Sequence, residues 1–186
     1  MEKQTITTET GVALYPWLTK PDTKFNEDGE YKVNLVLSKE NAAPIIKVIK
    51  TVHESNYKEV LKASKKKTMK QANPPFSEQL DDDGNPTGNI IFKFKSKAAY
   101  KPAIFDAKQN PLVDPAIWGG SEIKVNAVLY PYNSPMSGVG VSLKLRAVQV
   151  IRLVEGSEGA GRFGFDETSG YDVKDGVDEQ VNAKVF

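Results

Sequence analysis

The feature that most constrains the fold is an alternation of apolar and polar residues with period two. It recurs along the chain and is broken by one stretch of helical period. Successive side chains of a strand point to opposite faces, so this alternation marks half-buried strands. Residues 4–18 alternate, with Val12, Leu14 and Leu18 on one parity and Tyr15 and Trp17 on the other. Lys20-Pro21-Asp22 and Asp28-Gly29 mark a loop. Residues 30–37 place Tyr31, Val33, Leu35 and Leu37 opposite Lys32, Asn34 and Val36. Residues 89–97 are the clearest strand, with Phe92 and Phe94 on one face and Lys93, Lys95 and Lys97 on the other. Tyr100 and Ile104-Phe105 lead towards a further strand or hairpin, and 106–120 read as irregular.

Residues 121–132 set Ile123, Val125, Ala127 and Leu129 against Lys124, Asn126, Val128 and Tyr130. Pro131 is expected to end that strand and to leave Tyr132 at its tip. A turn follows over Asn133 to Gly138. Residues 139–154 point Val139, Val141, Leu143 and Leu145 inward, and Ser142, Lys144 and Arg146 outward. A slip of parity near Ala147 predicts a bulge or bend.

Between the second and third strands the period changes. Ile45, Ile49, Val52, Tyr57 and Val60 recur at spacings of three to five, which predicts one amphipathic helix over about 43–62. Pro44 suits its first turn. His53 lies on or near the apolar side and reads as a packing or surface residue. Residues 62–89 form a long excursion. Its lysines (Lys62, Lys65, Lys66, Lys67, Lys70) fit phosphate contacts or a solvated loop equally well. Asp81-Asp82-Asp83-Gly84 reads as a turn, because the twelfth position of a calcium loop would fall on Ile90 and not on a glutamate.

Composition removes several chemistries. There is no cysteine, which excludes disulfides, thiol catalysis and cysteine-bearing zinc sites, and a single histidine excludes a multi-histidine metal centre. No apolar run has the length of a membrane span, and the polar N-terminus has no signal-peptide core. The only glycine motif, GAGRFG at 159–164, has no second βα unit after it and does not make a dinucleotide site. The net charge of +1 hides an asymmetry. Residues 155–186 carry eight acids and three bases, or −5, against +6 for residues 1–154. That glycine-rich acidic segment reads as a disordered tail, either solubilising or competing with phosphates for the basic body.

Five strands with one helix in the middle of their order fit a small closed or nearly closed barrel. One strand parity fills the interior. The other gathers Tyr15, Trp17, Lys32, Lys93, Lys95, Lys97, Lys124, Tyr130, Lys144 and Arg146, with Tyr100 and Tyr132 at strand ends. Water does not favour aromatics on an outer face. A stacking surface for unpaired bases, with lysines on the backbone phosphates, gives them a use; packing beneath a loop is the alternative for any one of them.

These residues resemble the replication single-stranded DNA-binding proteins of short-tailed, T-odd bacteriophages. The resemblance covers roughly 10–154. It rests on the order and spacing of Tyr15–Asp22 (YPWLTKPD), Tyr31-Lys32-Val33, His53-Glu54, Asn73-Pro74-Pro75, Phe92–Lys95 (FKFK), Gly119-Gly120, Lys124-Val125, Pro131-Tyr132 and the strand around Val141–Leu145, with Phe186 at the C-terminus. It implies a five-stranded Greek-key OB-fold barrel with one inserted α-helix over 1–154, and a flexible acidic tail over 155–186. It implies binding of single-stranded DNA without base preference, and strand annealing. It also implies a tail that covers the groove and meets the replicative DNA polymerase and helicase-primase, here through Asp175, Asp178, Glu179 and Phe186. DNA-binding positions of the family fall on Lys93, Lys95, Lys124 and Tyr132, and a further basic one is Asn126 here. Family tails are acidic up to the last phenylalanine, whereas Gln180 to Val185 here include Lys184 and no acid.

The expected partners are therefore single-stranded DNA, those replication proteins and a second copy in a homodimer, with no membrane partner and no cofactor. The expected location is the cytoplasm of the infected bacterial host. Rival readings are a β-barrel protein-interaction or virion module and an RNA-binding OB protein. No acid pair is placed by spacing in a way that argues for an enzyme.

Overall fold

The computed structural model describes residues 4–24 and 26–154. The acidic segment 155–186, with Asp175, Asp178, Glu179 and Phe186, lies outside the described residues. The fold is mostly β with one helix. In chain order the elements are β1 (Thr5–Thr7), β2 (Gly11–Asp22), β3 (Glu30–Ser38), α1 (Lys39–Ser64), β4 (Phe76–Leu80), β5 (Pro86–Lys97), β6 (Ala103–Phe105), β7 (Glu122–Ser134) and β8 (Gly138–Arg152). Eight strands stand where the alternation predicts about five. The additional ones are short: β1 lies beside β7, β4 beside β5, and β6 parallel to β8.

The five long strands form a closed circuit. β2 pairs β3, β3 pairs β5, and β5 runs parallel to β8. β8 pairs β7, and β7 returns to β2 through Gly11↔Ile123 and Val12↔Glu122. Closure leaves these strands few bare edges. The inner parity fills the circuit with Val33, Leu35, Phe92, Phe94, Val125, Leu129, Leu143 and Leu145, all buried as the alternation predicts. Phe92 and Phe94 lie 6.4 Å apart by ring centroid at the centre of that core.

Five local expectations are corrected. The helix runs from Lys39 to Ser64, longer at both ends than 43–62. Ser38 caps it by accepting from the Asn41 backbone N–H, and Lys65 ends it in the left-handed region at φ 54. Pro44 therefore stands inside the helix and not in its first turn, at the cost of one backbone hydrogen bond. The 62–89 excursion ends in a β4–β5 hairpin, closed at its tip by Asp81, whose Oδ1 accepts from the backbone of Asp83 and Asn85.

In β2, Val12 is exposed and Ala13 buried, so the inner parity begins on odd residues and resumes at Leu18. The switch lies at the register shift between Leu14 and Trp17, where Tyr15 has φ 48. Pro131 does not end its strand: β7 continues to Ser134, with Pro131 opposite Val141. Strand pairing with β1 stops at Val128, so Pro131 has an opposite strand on one side only, an edge position that proline tolerates. The predicted slip near Ala147 is present: Ala147 pairs Asn126 and Leu145 pairs Ala127, which leaves Arg146 as the extra residue of a bulge.

Candidate nucleic-acid interface

The outer faces of β2, β3, β5 and β8 carry one continuous row of side chains. Trp17 is the register partner of Lys32, Lys32 of Lys95, and Lys95 of Lys144. Register pairs on neighbouring strands sit about 5 Å apart, so the row brings one aromatic ring and three ammonium groups together across the sheet. The sequence dictates this locally: β3 and β5 pair without a slip from Glu30↔Lys97 to Ser38↔Asn89, so all their outward lysines share one face. Next to the row stand Lys93, opposite Asn34, and Lys97, opposite Glu30.

The electrostatics show how tightly the cations are grouped. Partial burial and the neighbouring Lys95 and Lys97 hold the Lys144 ammonium below the usual lysine range, while Glu30 acts the other way. Two carboxylates answer the row. Asp22, 7% exposed at its side chain, meets Lys32 Nζ at 2.5 Å, and its Oδ1 accepts from the Lys24 backbone N–H at 2.9 Å. These bonds hold the Asp22 carboxyl below the usual range. Glu30 Oε2 lies 3.7 Å from Lys95 Nζ.

The aromatics border this patch. Tyr15 is 75% exposed because its left-handed backbone turns the ring off the inner parity, and Trp17 is 43% exposed. Tyr130 is exposed, with Lys144 Nζ 5.4 Å from its ring centroid. Tyr132 is half-buried and lies over Gly140, its register partner; a Cβ built on Gly140 would stand 2.6 Å from the Tyr132 ring and hydroxyl. Tyr132 thereby becomes one wall of a depression of about 290 Å³ shared with Lys32, Asn34, Asn73, Lys93 and Lys95. Tyr100 is exposed in the turn after β5, beyond Lys97.

Two of the sequence-predicted cations stand elsewhere. Lys124 lies on the outer face of β7, four residues from Val128, the register partner of Lys144; that is about 13 Å along the strand. It faces a separate depression of about 370 Å³ with Asn126, Phe105 and Gln149, and pairs with Glu9 at 3.6 Å. Arg146 is exposed on the bulge.

Sequence reasoning missed the residues that fix Tyr132 in place. Asn56, buried on α1, donates its side-chain amide to the backbone oxygens of Tyr132 (3.1 Å) and Gly140 (3.2 Å). His53 Nε2 lies 3.2 Å from Val139 O, a packing role in line with its sequence reading. The chain after α1 is tied to the same point: Val139 N–H donates to Lys70 O, and Ala72 N–H to Val139 O. The available signal was Asn56 itself, a polar residue seven positions after Ile49 on the buried stripe. Asn34 shares the outer parity of Lys32, and Asn73 stands in one of the motifs that carry the family resemblance, but neither pattern places it beside Tyr132.

The sequence model for the single-stranded DNA-binding protein of bacteriophage T7 matches residues 10–153. No curated protein sequence matches the chain. Among solved structures, the crystal structure of gp2.5, a single-stranded DNA-binding protein encoded by bacteriophage T7, superposes with a TM-score of 0.70 at 26% identity, over 92% of this chain and 99% of that one. The single-stranded DNA-binding protein of bacteriophage Enc34 superposes with a TM-score of 0.62 at 16% identity, over 83% and 85% of the two chains. The same Enc34 protein in complex with single-stranded DNA gives 0.60 at 18%, over 81% and 88%. At that identity the Enc34 structures speak for the fold.

Proposed function

The chain belongs to the single-stranded DNA-binding protein family of bacteriophage T7, and from that premise we propose that it coats single-stranded DNA across the outer face of β2, β3, β5 and β8. The family's role is binding and not catalysis. The observation that carries the reading is the row Trp17–Lys32–Lys95–Lys144, one ring and three cations in register on four strands. Tyr15, Trp17, Tyr130 and Tyr132 stack on bases. Each such stack contributes about 1–3 kcal/mol and tolerates any base. Lys93, Lys95, Lys97 and Lys144, with Lys32, follow the phosphates. Lys124 and Arg146 extend the path along β7 and β8, and Tyr100 along the end of β5.

We read the closed circuit β2-β3-β5-β8-β7 as the five-stranded OB barrel, to which β1, β4 and β6 are additions. Finer parts of the reading rest on family membership and charge. They are strand annealing, a place in phage DNA replication in the bacterial cytoplasm, homodimer formation, and an acidic segment 155–186 that competes with DNA and offers Asp175, Asp178, Glu179 and Phe186 to the polymerase and helicase-primase. Deleting 155–186 should tighten DNA binding.

The test is a fluorescence-anisotropy titration of labelled oligo-dT across salt, with duplex DNA as competitor. Each neutralised phosphate of a single strand contributes a slope of about −0.7 in log K against log salt, so five contacts give about −3.5. Tight binding with that slope, resistant to duplex, supports the reading. A slope near zero removes the lysine row, equal affinity for duplex removes the stacking residues, and preference for oligo-U moves the reading to RNA.

A further inference from the structure

The carboxylates in the lysine row are not equivalent. Asp22 is nearly enclosed and holds both Lys32 and a backbone N–H. It is part of the fold. Glu30 is more open and is bonded more loosely, 3.7 Å from Lys95. Its surroundings are those of an anion-binding point. Lys97 is its register partner on β5, Lys95 is its ion-pair partner, and Lys144 on β8 is close enough to feel its charge. On its other side Glu30 pairs with Asp22 of β2, so a second carboxylate faces it from that strand. It also lines the depression that holds Lys32, Lys93, Lys95 and Tyr132.

We propose that Glu30 is a built-in phosphate surrogate: in the free protein its carboxylate occupies the point among Lys95, Lys97 and Lys144 that a backbone phosphate takes when single-stranded DNA binds. This rests on the DNA-binding reading above and goes beyond it by naming the group that DNA must displace. The three ammonium groups of Lys95, Lys97 and Lys144 on adjacent strands repel, and Glu30 relieves part of that repulsion while the site is empty. The exchange of one anion for another lowers affinity. It also lowers the salt slope: Lys95 is already paired with Glu30 in the free protein, so wild type falls short of the full five-contact slope by up to about 0.7. The side chain thus sets how readily the protein leaves DNA without touching a base.

The experiment is the same oligo-dT titration on full-length wild type, E30Q, E122Q, K95Q and the double variant E30Q/K95Q, with thermal unfolding as a check on the fold. E30Q should bind about two- to fivefold more tightly at low salt, the range of an exposed ion pair. Its salt slope should be steeper by about 0.7. E122Q removes the same charge beside Arg152, six residues along β7 from Val128, and should leave affinity within experimental scatter. In the K95Q background the gain from E30Q should shrink. Weaker or unchanged binding by E30Q overturns the inference. So does an equal gain in E122Q, which would make the effect one of net charge alone. If wild type itself fails to bind oligo-dT, the DNA-binding reading falls and takes the inference with it; if wild type binds and E30Q does not tighten, only the inference falls.

Discussion

Lys144 Nζ stands 5.4 Å from the centroid of the Tyr130 ring, while Lys95, its register partner on the neighbouring strand, presses on it from the other side. The ammonium is held over a π face and disfavoured by its neighbours at once. Its lowered pKa means that the unfolded chain binds more protons between the folded pKa and the unfolded value of 10.5. Stability therefore carries a penalty below the folded pKa and gains as pH rises through it. Lys144→Met should raise the unfolding temperature at neutral pH, flatten the alkaline part of the stability profile, and weaken single-stranded DNA binding. Thermal melts at several pH values beside an anisotropy titration would show all three. A variant that loses both stability and affinity would place Lys144 in the scaffold instead.

Gly140→Ala should act as a mutation of Tyr132. The new Cβ meets the far end of the Tyr132 ring at 2.6 Å and the Ala72 Cβ at 2.9 Å. The ring can turn aside, and it then leaves the wall of the Lys93–Lys95 depression; the Ala72 Cβ yields only with its backbone, so some stability is lost as well. The expected result is a folded protein with the affinity of Tyr132→Ala, read by circular dichroism and oligo-dT binding. Wild-type affinity in Gly140→Ala would dismiss the ring's position as unimportant.

Asn56→Ala removes two hydrogen bonds and leaves the backbone oxygens of Tyr132 and Gly140 without that donor. Loss of a buried partner costs about 1–3 kcal/mol. Denaturant unfolding should show a lower midpoint with an unchanged slope. An effect within about 0.3 kcal/mol would mean that water takes the amide's place.

Tyr15→Asn separates backbone from side chain. Asparagine tolerates the left-handed region better than tyrosine does, so the φ of 48 carries less strain. Stability should hold or rise, while affinity for oligo-dT falls by the about 1–3 kcal/mol of one stacked base. Unchanged affinity would remove Tyr15 from the DNA path.

Asp22→Asn tests the anchored carboxylate. Lys32 and the Lys24 N–H lower the folded pKa below 3.8. The contribution to stability is complete above that unfolded value and disappears as pH falls through the folded one. The variant should be less stable at neutral pH and should lose part of the acid-induced decline. A melt series from neutral pH downward decides it; parallel curves for the two proteins would argue against an ionic role.

Much of the barrel was legible because its strands bury one face. Tyr31 to Leu37 and Phe92 to Phe94 alternate without error, and the structure buries the expected members. The bulge at Arg146 was readable as a slip in the same pattern. The first strand misled because Tyr15 adopts a positive φ, which changes parity midway, and no residue type announces that in a tyrosine. Pro131 misled because its tolerance depends on which side of β7 lacks a neighbour, a property of sheet order and not of local sequence. β4 and β6 are short, and they gain their place from β5 and β8. Of the site, the lysines of β5 could be read from parity. Their register with Trp17 and Lys144 could not, since it depends on strand pairings far apart in the chain.

That long-range register has a consequence for the protein during its synthesis. The row draws on residues 17, 32, 95 and 144, and the circuit closes only when β7 reaches back to Gly11 and Val12. Such non-local pairing cannot form until almost all of the described chain has left the ribosome. A nascent chain has lysines and aromatics but no shared face to hold them. The row is therefore completed only with β8, and a product cut short before it lacks the shared face on which the proposed DNA path depends.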